Sequence, residues 1–188
     1  MIQRERGRML HCAAMAIATD ATSSFTIEAA GVDDIGVIQA LAGTIWRQHY
    51  PGIISMEQID YMLARGYSRE ALTQFLIEAD AGLALAKRDC IATGFVAWHP
   101  QDRATMKLEK LYVLPEAHGQ GVGRALIEHV IARARDAGFA QLTLNVNRRN
   151  TGAIKAYERC GFAIRECGDF PIGNGFVMED YIMVREIG

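Results

Sequence analysis

Several absences frame this chain. No apolar run approaches the ~18 residues that a membrane span needs, and there is neither a CxxC pair nor a Cys/His cluster at zinc-ligand spacing. No metal or membrane partner is therefore expected, and Cys12, Cys90, Cys160 and Cys167 read as reduced thiols of a cytoplasmic protein. A surplus of charge is also missing. The formal net charge of −2 gives no sign of the basic face that a nucleic-acid binder usually shows. Internal repeats and low-complexity linkers are absent as well.

What is present is an ordinary globular composition, with 188 residues of which 50% are hydrophobic and 22% charged. That length suits one domain with a well-formed core. Residues 1–24, "MIQRERGRMLHCAAMAIATDATSS", carry Arg4, Arg6 and Arg8 ahead of a short Ala/Met stretch interrupted by His11. We read them as a flexible extension ahead of a single domain at 25–188, with Met15 as an alternative start. A cleaved signal segment is the competing reading.

From Phe25 onward the pattern alternates between two periods. "FTIEAA" reads as a strand. Ile35, Ile38, Leu41, Ala42 and Ile45 recur at helical spacing after Asp33 or Asp34. Ser55 and Ser68 each cap a further helical piece. "GLALAKRD" and "CIATGFVAWHP" form a hairpin turning near Arg88–Asp89. In the next strand, "ATMKLEKLYVL", plain alternation puts Met106, Leu108, Lys110 and Tyr112 on one face and Lys107, Glu109, Leu111 and Val113 on the other. A glycine turn, a helix from about Val122 to Ala137, the strand "AQLTLNVN", a helix capped by Thr151 or Asn150, and the strands "FAIREC" and "FVMEDYIMV" complete the chain. The order β, three helical pieces, βββ, α, β, α, ββ specifies a mixed α/β sheet.

Gly119, Gly121 and Gly123 stand where a strand ends and a helix begins. Unpartnered N–H groups and the helix dipole make such a junction an anion site suited to phosphate. A P-loop needs Gly-Lys-Ser/Thr, but Arg124 and Ala125 follow Gly123. A Rossmann turn needs GxGxxG and an acid on the next strand, but the spacing is GxGxG and the strand ends in asparagines. A tight connection with no ligand is the remaining plain reading.

"LEKLYVLPEAHGQGVGRAL" together with "NVNRRNTGAIKAYERCGF" resembles the GNAT superfamily of acyl-CoA-dependent N-acetyltransferases over most of the chain from Phe25. "WRQHYPGIISMEQIDYML" and "GFVMEDYIMV" are similar to bacterial members grouped with polyamine acetyltransferases. The resemblance implies a central, mostly antiparallel sheet with two splayed strands and flanking helices. It implies acetyl-CoA as cosubstrate. The pyrophosphate would lie on the segment His118, Gly119, Gln120, Gly121, Val122, Gly123, Arg124 and Ala125, and the pantetheine arm along Leu111 and Val113. His118 stands where the family has Gln or Arg.

By the same resemblance, Asn150 would hold the cofactor arm, Tyr157 would serve the departing thiolate, and Glu109 would be the base. Their plain readings are a helix cap, a sheet-packing aromatic and a surface carboxylate. Arg124, Arg148 and Arg149 are further phosphate candidates. Trp46, Tyr50 and Trp98, with Tyr61 and His99, are candidates for the acceptor wall. The expected activity is direct acetyl transfer to a small primary amine such as a polyamine. Protein or peptide N-acetylation, modification of aminoacyl-tRNA and a non-catalytic acyl-CoA-binding module are the alternatives. Family habit implies a homodimer through the last strands.

Overall fold

The computed structural model describes residues 25–188. The expected extension 1–24, with Cys12, lies outside the described residues. After strand β1 (Thr26–Ala29) and one 3-10 turn, helix α1 (Ile35–His49) turns Ile35, Ile38, Leu41, Ala42, Ile45 and Trp46 inward at the three-and-four spacing of one helical face. Ser55 Oγ accepts the Gln58 N–H at 3.1 Å to start α2 (Met56–Gly66). Ser68 Oγ accepts that of Ala71 at 3.1 Å to start α3 (Arg69–Ile77). Each cap satisfies a helix N–H that would otherwise lack a partner, a contribution of about 1 kcal/mol.

β2 (Gly82–Arg88), β3 (Ile91–Pro100) and β4 (Thr105–Val113) follow as an antiparallel meander. Asp89 and Cys90, both at positive φ, make the first turn of that meander. α4 (Val122–Asp136), β5 (Gln141–Asn147), α5 (Thr151–Arg159), β6 (Ala163–Gly173) and β7 (Phe176–Glu186) complete the element order that the sequence pattern specifies.

The strands form one seven-stranded sheet in the order β1-β2-β3-β4-β5-β7-β6, parallel only between β4 and β5. Two cores cover its faces. One packs Met106, Leu108, Val96 and Trp98 against Leu126, Ile127, Val130 and Ile131 of α4. The other packs Leu83, Leu85, Phe95 and Ala97 against α1, α2 and α3. Each fully buried aliphatic side chain there contributes about 1.5–3 kcal/mol.

Two departures from simple pattern reading shape the molecule. In the first, the β3–β4 register passes from Ala97↔Lys110 directly to Trp98↔Leu108, so Glu109 is an extra residue in a β-bulge. The bulge reverses the alternation. Met106 and Leu108 share the α4 face with Leu111 and Val113, while Tyr112 packs with the α1–α3 core. The expected grouping of Glu109 with Leu111 and Val113 is therefore corrected.

The second departure is β6, which runs on to Gly173 rather than stopping at Cys167. As an edge strand it tolerates Pro171. The β6–β7 hairpin leans on α2, where Tyr61 Oη donates to the Ile172 carbonyl at 2.8 Å, Arg65 donates to the same oxygen, and Tyr61 and Phe176 lie 5.4 Å apart. Gly173 permits this approach. Its φ is +97°, and an added Cβ would sit 2.4 Å from Tyr61 Oη. Gly173→Ala is expected to cost about 1–3 kcal/mol, lowering Tm by roughly 2–4 °C per kcal/mol. Thermal unfolding of the variant measures this, and an unchanged Tm would remove the hairpin–helix contact from the fold's support.

Candidate functional site

β4 and β5 pair at only three positions, Thr105↔Gln141, Met106↔Leu142 and Lys107↔Thr143. Beyond them the strands part, directly next to the bulge at Glu109. The parting opens a cavity of about 1290 Å³, with Leu108–Val113 on one side and Leu144–Asn147 on the other. Its volume exceeds the usual range for one small ligand.

One end of the cavity is the glycine turn. Gly119 (φ +74°) and Gly121 (φ +83°) both take a left-handed conformation, which presents successive amides on one side. From Gly119 to Arg124 no backbone N–H finds an acceptor among the described residues. The Ala125 N–H is already used, donating to the Gly121 carbonyl at 3.0 Å. The expected cradle therefore ends at Arg124, and Ala125 is corrected out of the wall. The Gln120 side chain also turns away, donating to the Glu116 carbonyl at 2.6 Å, and Gln120 does not line the cavity. His118 lines the cavity and braces the turn, its Nε2 lying 2.9 Å from the Val113 carbonyl.

Of the three arginines, Arg124 lines the cavity and makes no ion pair among the described residues. Arg148 is held by Asp169 at 2.5 Å and Glu179 at 3.6 Å. Arg149 donates to the carbonyls of Gly52 (2.6 Å) and Ile53 (2.8 Å). These two are engaged by protein partners, and neither lines the cavity.

α5 supplies the floor. Asn150 Oδ1 caps that helix by accepting the Ala153 N–H at 3.3 Å, and the buried Asn150 lines the cavity. Tyr157 is buried, stacks edge-on with Phe162 at 5.8 Å and also lines the cavity. Burial pushes its phenol well above the ordinary value, so it keeps its proton. Cys160 is a neighbour in the same wall, and burial raises its thiol. That suits the expected packing role better than a nucleophile.

The opposite end is aromatic and charged. Trp46 and Tyr50 lie 4.5 Å apart and both line it. The Trp46 indole donates to Tyr67 Oη at 3.2 Å, and the Tyr112 ring lies 6.3 Å from that of Tyr67. Lys110, buried, sits 4.7 Å from the Tyr67 ring centroid, and burial lowers its pKa. Glu109 lines the cavity, with Lys107 Nζ at 3.1 Å and His99 Nε2 at 3.6 Å. Burial alone would raise this carboxyl, but the adjacent His99 and the charges of Lys107 and Lys110 outweigh it and hold the group at about 2.

Three expected wall residues lie elsewhere. Trp98 belongs to the core under α4, facing His129 at 5.5 Å, because the bulge sets the register of its strand. Tyr61 is spent on the β6–β7 hairpin, and His99 stands behind Glu109. Asp180 of β7 is a cavity residue that the sequence did not single out. It is 6% exposed, and its Oδ1 finds no donor among the described residues.

Amides at a helix N-terminus beside a parted sheet, joined by one cavity to a second chamber, suit a transferase whose donor carries phosphates. The chain belongs to the acetyltransferase (GNAT) family, whose model matches residues 45–162. It is similar to an uncharacterized N-acetyltransferase of Mycobacterium tuberculosis, with 29% identity over 82% of this chain and 98% of that protein. It is also similar to the spermidine N(1)-acetyltransferase of Thermoplasma acidophilum, with 24% identity over 83% of this chain and 96% of that one. The fold is shared with the crystal structure of PaiA N-acetyltransferase from T. acidophilum in complex with coenzyme A. There the TM-score is 0.76 and identity 23%, over 87% of this chain and 99% of that chain. The chain is thus an acyltransferase of the acetyl-CoA-dependent N-acetyltransferase type. Among the described residues no helix is long and apolar enough to cross a membrane.

Gly121→Asp tests the turn. Its Cβ would meet nothing within 4 Å, but the φ of +83° strains any side chain there, so the variant both disturbs the turn and sets a carboxylate against an anion at the helix N-terminus. Coenzyme A affinity, measured by calorimetry, should weaken about tenfold or more, equivalent to roughly 1.4 kcal/mol. Equal affinity would place the cosubstrate elsewhere.

Proposed function

We propose that residues 25–188 form one catalytic domain that moves an acetyl group from acetyl-CoA to a small primary amine, in a ternary complex and without an acyl-enzyme. The observation that carries this reading is the continuity of the cavity. It joins unpartnered amides at Gly119–Arg124 to an aromatic chamber with carboxylates at its wall. The similarity to a spermidine N(1)-acetyltransferase supports an aliphatic amine as acceptor. The hairpin leaning on α2 walls one side of the chamber, which favours a small acceptor over a protein side chain.

In this reading, the pyrophosphate lies on the amides from Gly119 to Arg124, beside the Arg124 guanidinium. The pantetheine arm follows Leu111–Val113 in the place that a strand paired with β4 would take. Asn150 keeps its Oδ1 in the helix cap and offers its Nδ2–H to the arm. An amide near Val113 polarises the thioester carbonyl, and one such donor is worth about 2.7–4 kcal/mol of barrier in acyl transfer. Tyr157, still protonated, donates a hydrogen bond to the sulfur as the C–S bond breaks. A thiol ionises near ~8.5 and the buried phenol well above its own ordinary value, so Tyr157 steadies the thiolate without giving up its proton completely. Glu109, held at about 2 by its cationic neighbours, is a weak proton acceptor. Its part in this reading is to keep Lys107 and His99 in place.

The activity is tested by coenzyme A thiol release from acetyl-CoA over a panel of polyamines, amino acids, aminoglycosides and peptides. Turnover confined to small amines supports the reading. Acyl-CoA binding with no turnover on any amine would replace it with the non-catalytic module. Tyr157→Phe should lower kcat by roughly 10²–10⁴-fold with little change in acetyl-CoA affinity. Unaltered kcat under a rate-limiting chemical step would take Tyr157 out of the mechanism.

A further inference from the structure

We infer that Asp180 is the residue that binds the acceptor's ammonium group and takes its first proton. This rests on the reading of the cavity as an acetyl-transfer site and names the group that recognises the acceptor. Three observations carry it. Asp180 is 6% exposed, lines the cavity, and has an Oδ1 without a donor among the described residues. A buried carboxylate oxygen with no partner is costly, and native structures seldom retain one without a use. Its position is also informative. Asp180 pairs in register with Asn147 on the edge of β5 away from β4, at the end of the strand that β4 has left, and Tyr50 and Lys107 line the same cavity. Lastly, Tyr50, Trp46 and Phe170 give the chamber aromatic walls, and rings beside a lone carboxylate suit a desolvated cation.

The charged and polar groups around Asp180 explain its state. Asn145 of β5 is a polar neighbour that favours its charged form, while Lys107 of β4 and Arg148 after β5 attract it from a distance. Both cations are already engaged, Lys107 with Glu109 and Arg148 with Asp169 and Glu179. Tyr50, the residue that ends α1, is an uncharged neighbour, its phenol raised by burial. Burial outweighs the attractions and pushes the Asp180 carboxyl up to about 6. The two cavity carboxylates therefore differ. Glu109 is neutralised by its neighbours, and Asp180 lacks a counter-charge that an incoming ammonium would supply.

The step balances as follows. The ammonium gives one proton to Asp180 Oδ1, which releases it to solvent. The neutral nitrogen attacks the thioester carbon, forming the C–N bond as the carbonyl electrons move to oxygen. Collapse restores the carbonyl and breaks the C–S bond, with its electron pair leaving on sulfur. The surplus proton on nitrogen passes to the thiolate, giving the amide and free coenzyme A.

The sign of the pH effect follows from the raised carboxyl. Between about 6 and the unfolded value of 3.8 the folded chain binds more protons than the unfolded one. Stability from this group is thus lost as pH rises through that window, and at pH 7.5 the buried charge is a burden. Asp180→Asn should therefore raise Tm at pH 7.5 while impairing acceptor use.

The test uses the full chain, with spermidine as the first probe amine and tyramine and benzylamine beside it. In Asp180→Asn, amine affinity of the coenzyme A complex should fall at least about tenfold, with coenzyme A affinity unchanged. The acidic limb of kcat/KM near pH 6 should disappear in Asp180→Asn and persist in His99→Gln, whose imidazole Glu109 holds above its ordinary value. Carboxyl carbon NMR on the wild-type chain provides a readout independent of the variant's folding: spermidine should shift the raised carboxyl titration to lower pH. Wild-type amine affinity and an intact limb in Asp180→Asn would overturn the inference, as would a carboxyl titration unmoved by any bound amine. If the wild type binds coenzyme A but none of the three amines, the inference falls while the phosphate cradle stands. If coenzyme A itself does not bind, the reading of the cavity falls with it.

Discussion

The site depends on one break in hydrogen bonding: β4 stays with β5 for three residues and then leaves it. A continuous parallel ladder would fill the gap with backbone pairs and leave no room for a ligand. The bulge at Glu109 sits at the point of divergence, and a bulged strand bends and twists more strongly than a regular one. The same insertion reverses which side chains face α4. One extra residue thus accompanies both the opening of the sheet and the side-chain identity of its walls. The buried stripe of α4 holds the open sheet in shape from below, with Leu126, Ile127, Val130 and Ile131 packed against β3 and β4.

Charge is distributed unevenly within the cavity. At the turn, amides with no internal acceptor and Arg124 favour an anion. At the other end, cations are consumed by local partners: Lys107 by Glu109, Arg148 by Asp169, and Arg149 by two carbonyls of the α1–α2 connection. Lys110 is shielded under Tyr67 and Phe75. In the proposed reading, an anionic donor and a cationic acceptor would be drawn to different parts of one space.

Much of this was readable from residue order because it is local. The caps at Ser55 and Ser68, the α4 stripe, the glycine turn and the Asn150–Tyr157 helix each depend on residues a few positions apart. What escaped reading depends on pairing between distant segments. Alternation along β4 misassigned Glu109 because a bulge has no sequence signature of its own. Trp98 looked like an acceptor wall and is core, since its facing is set by the same register. Pro171 and two glycines hid the second half of β6, which only an edge position makes tolerable. Asp180 carried no motif, and its importance arises from where β7 inserts between β5 and β6.

That insertion has a consequence for how the molecule comes into being. The phosphate-facing turn is assembled from one contiguous stretch, whereas the opposite chamber joins Tyr50 to Asp180 and Gln58 to the carbonyl of Val177, partners separated by 119 positions in the latter case. Contacts of such sequence separation form late because chain closure must precede them. The turn thus owes its shape to neighbours in sequence, while the second chamber is complete only once β7 has closed against β5.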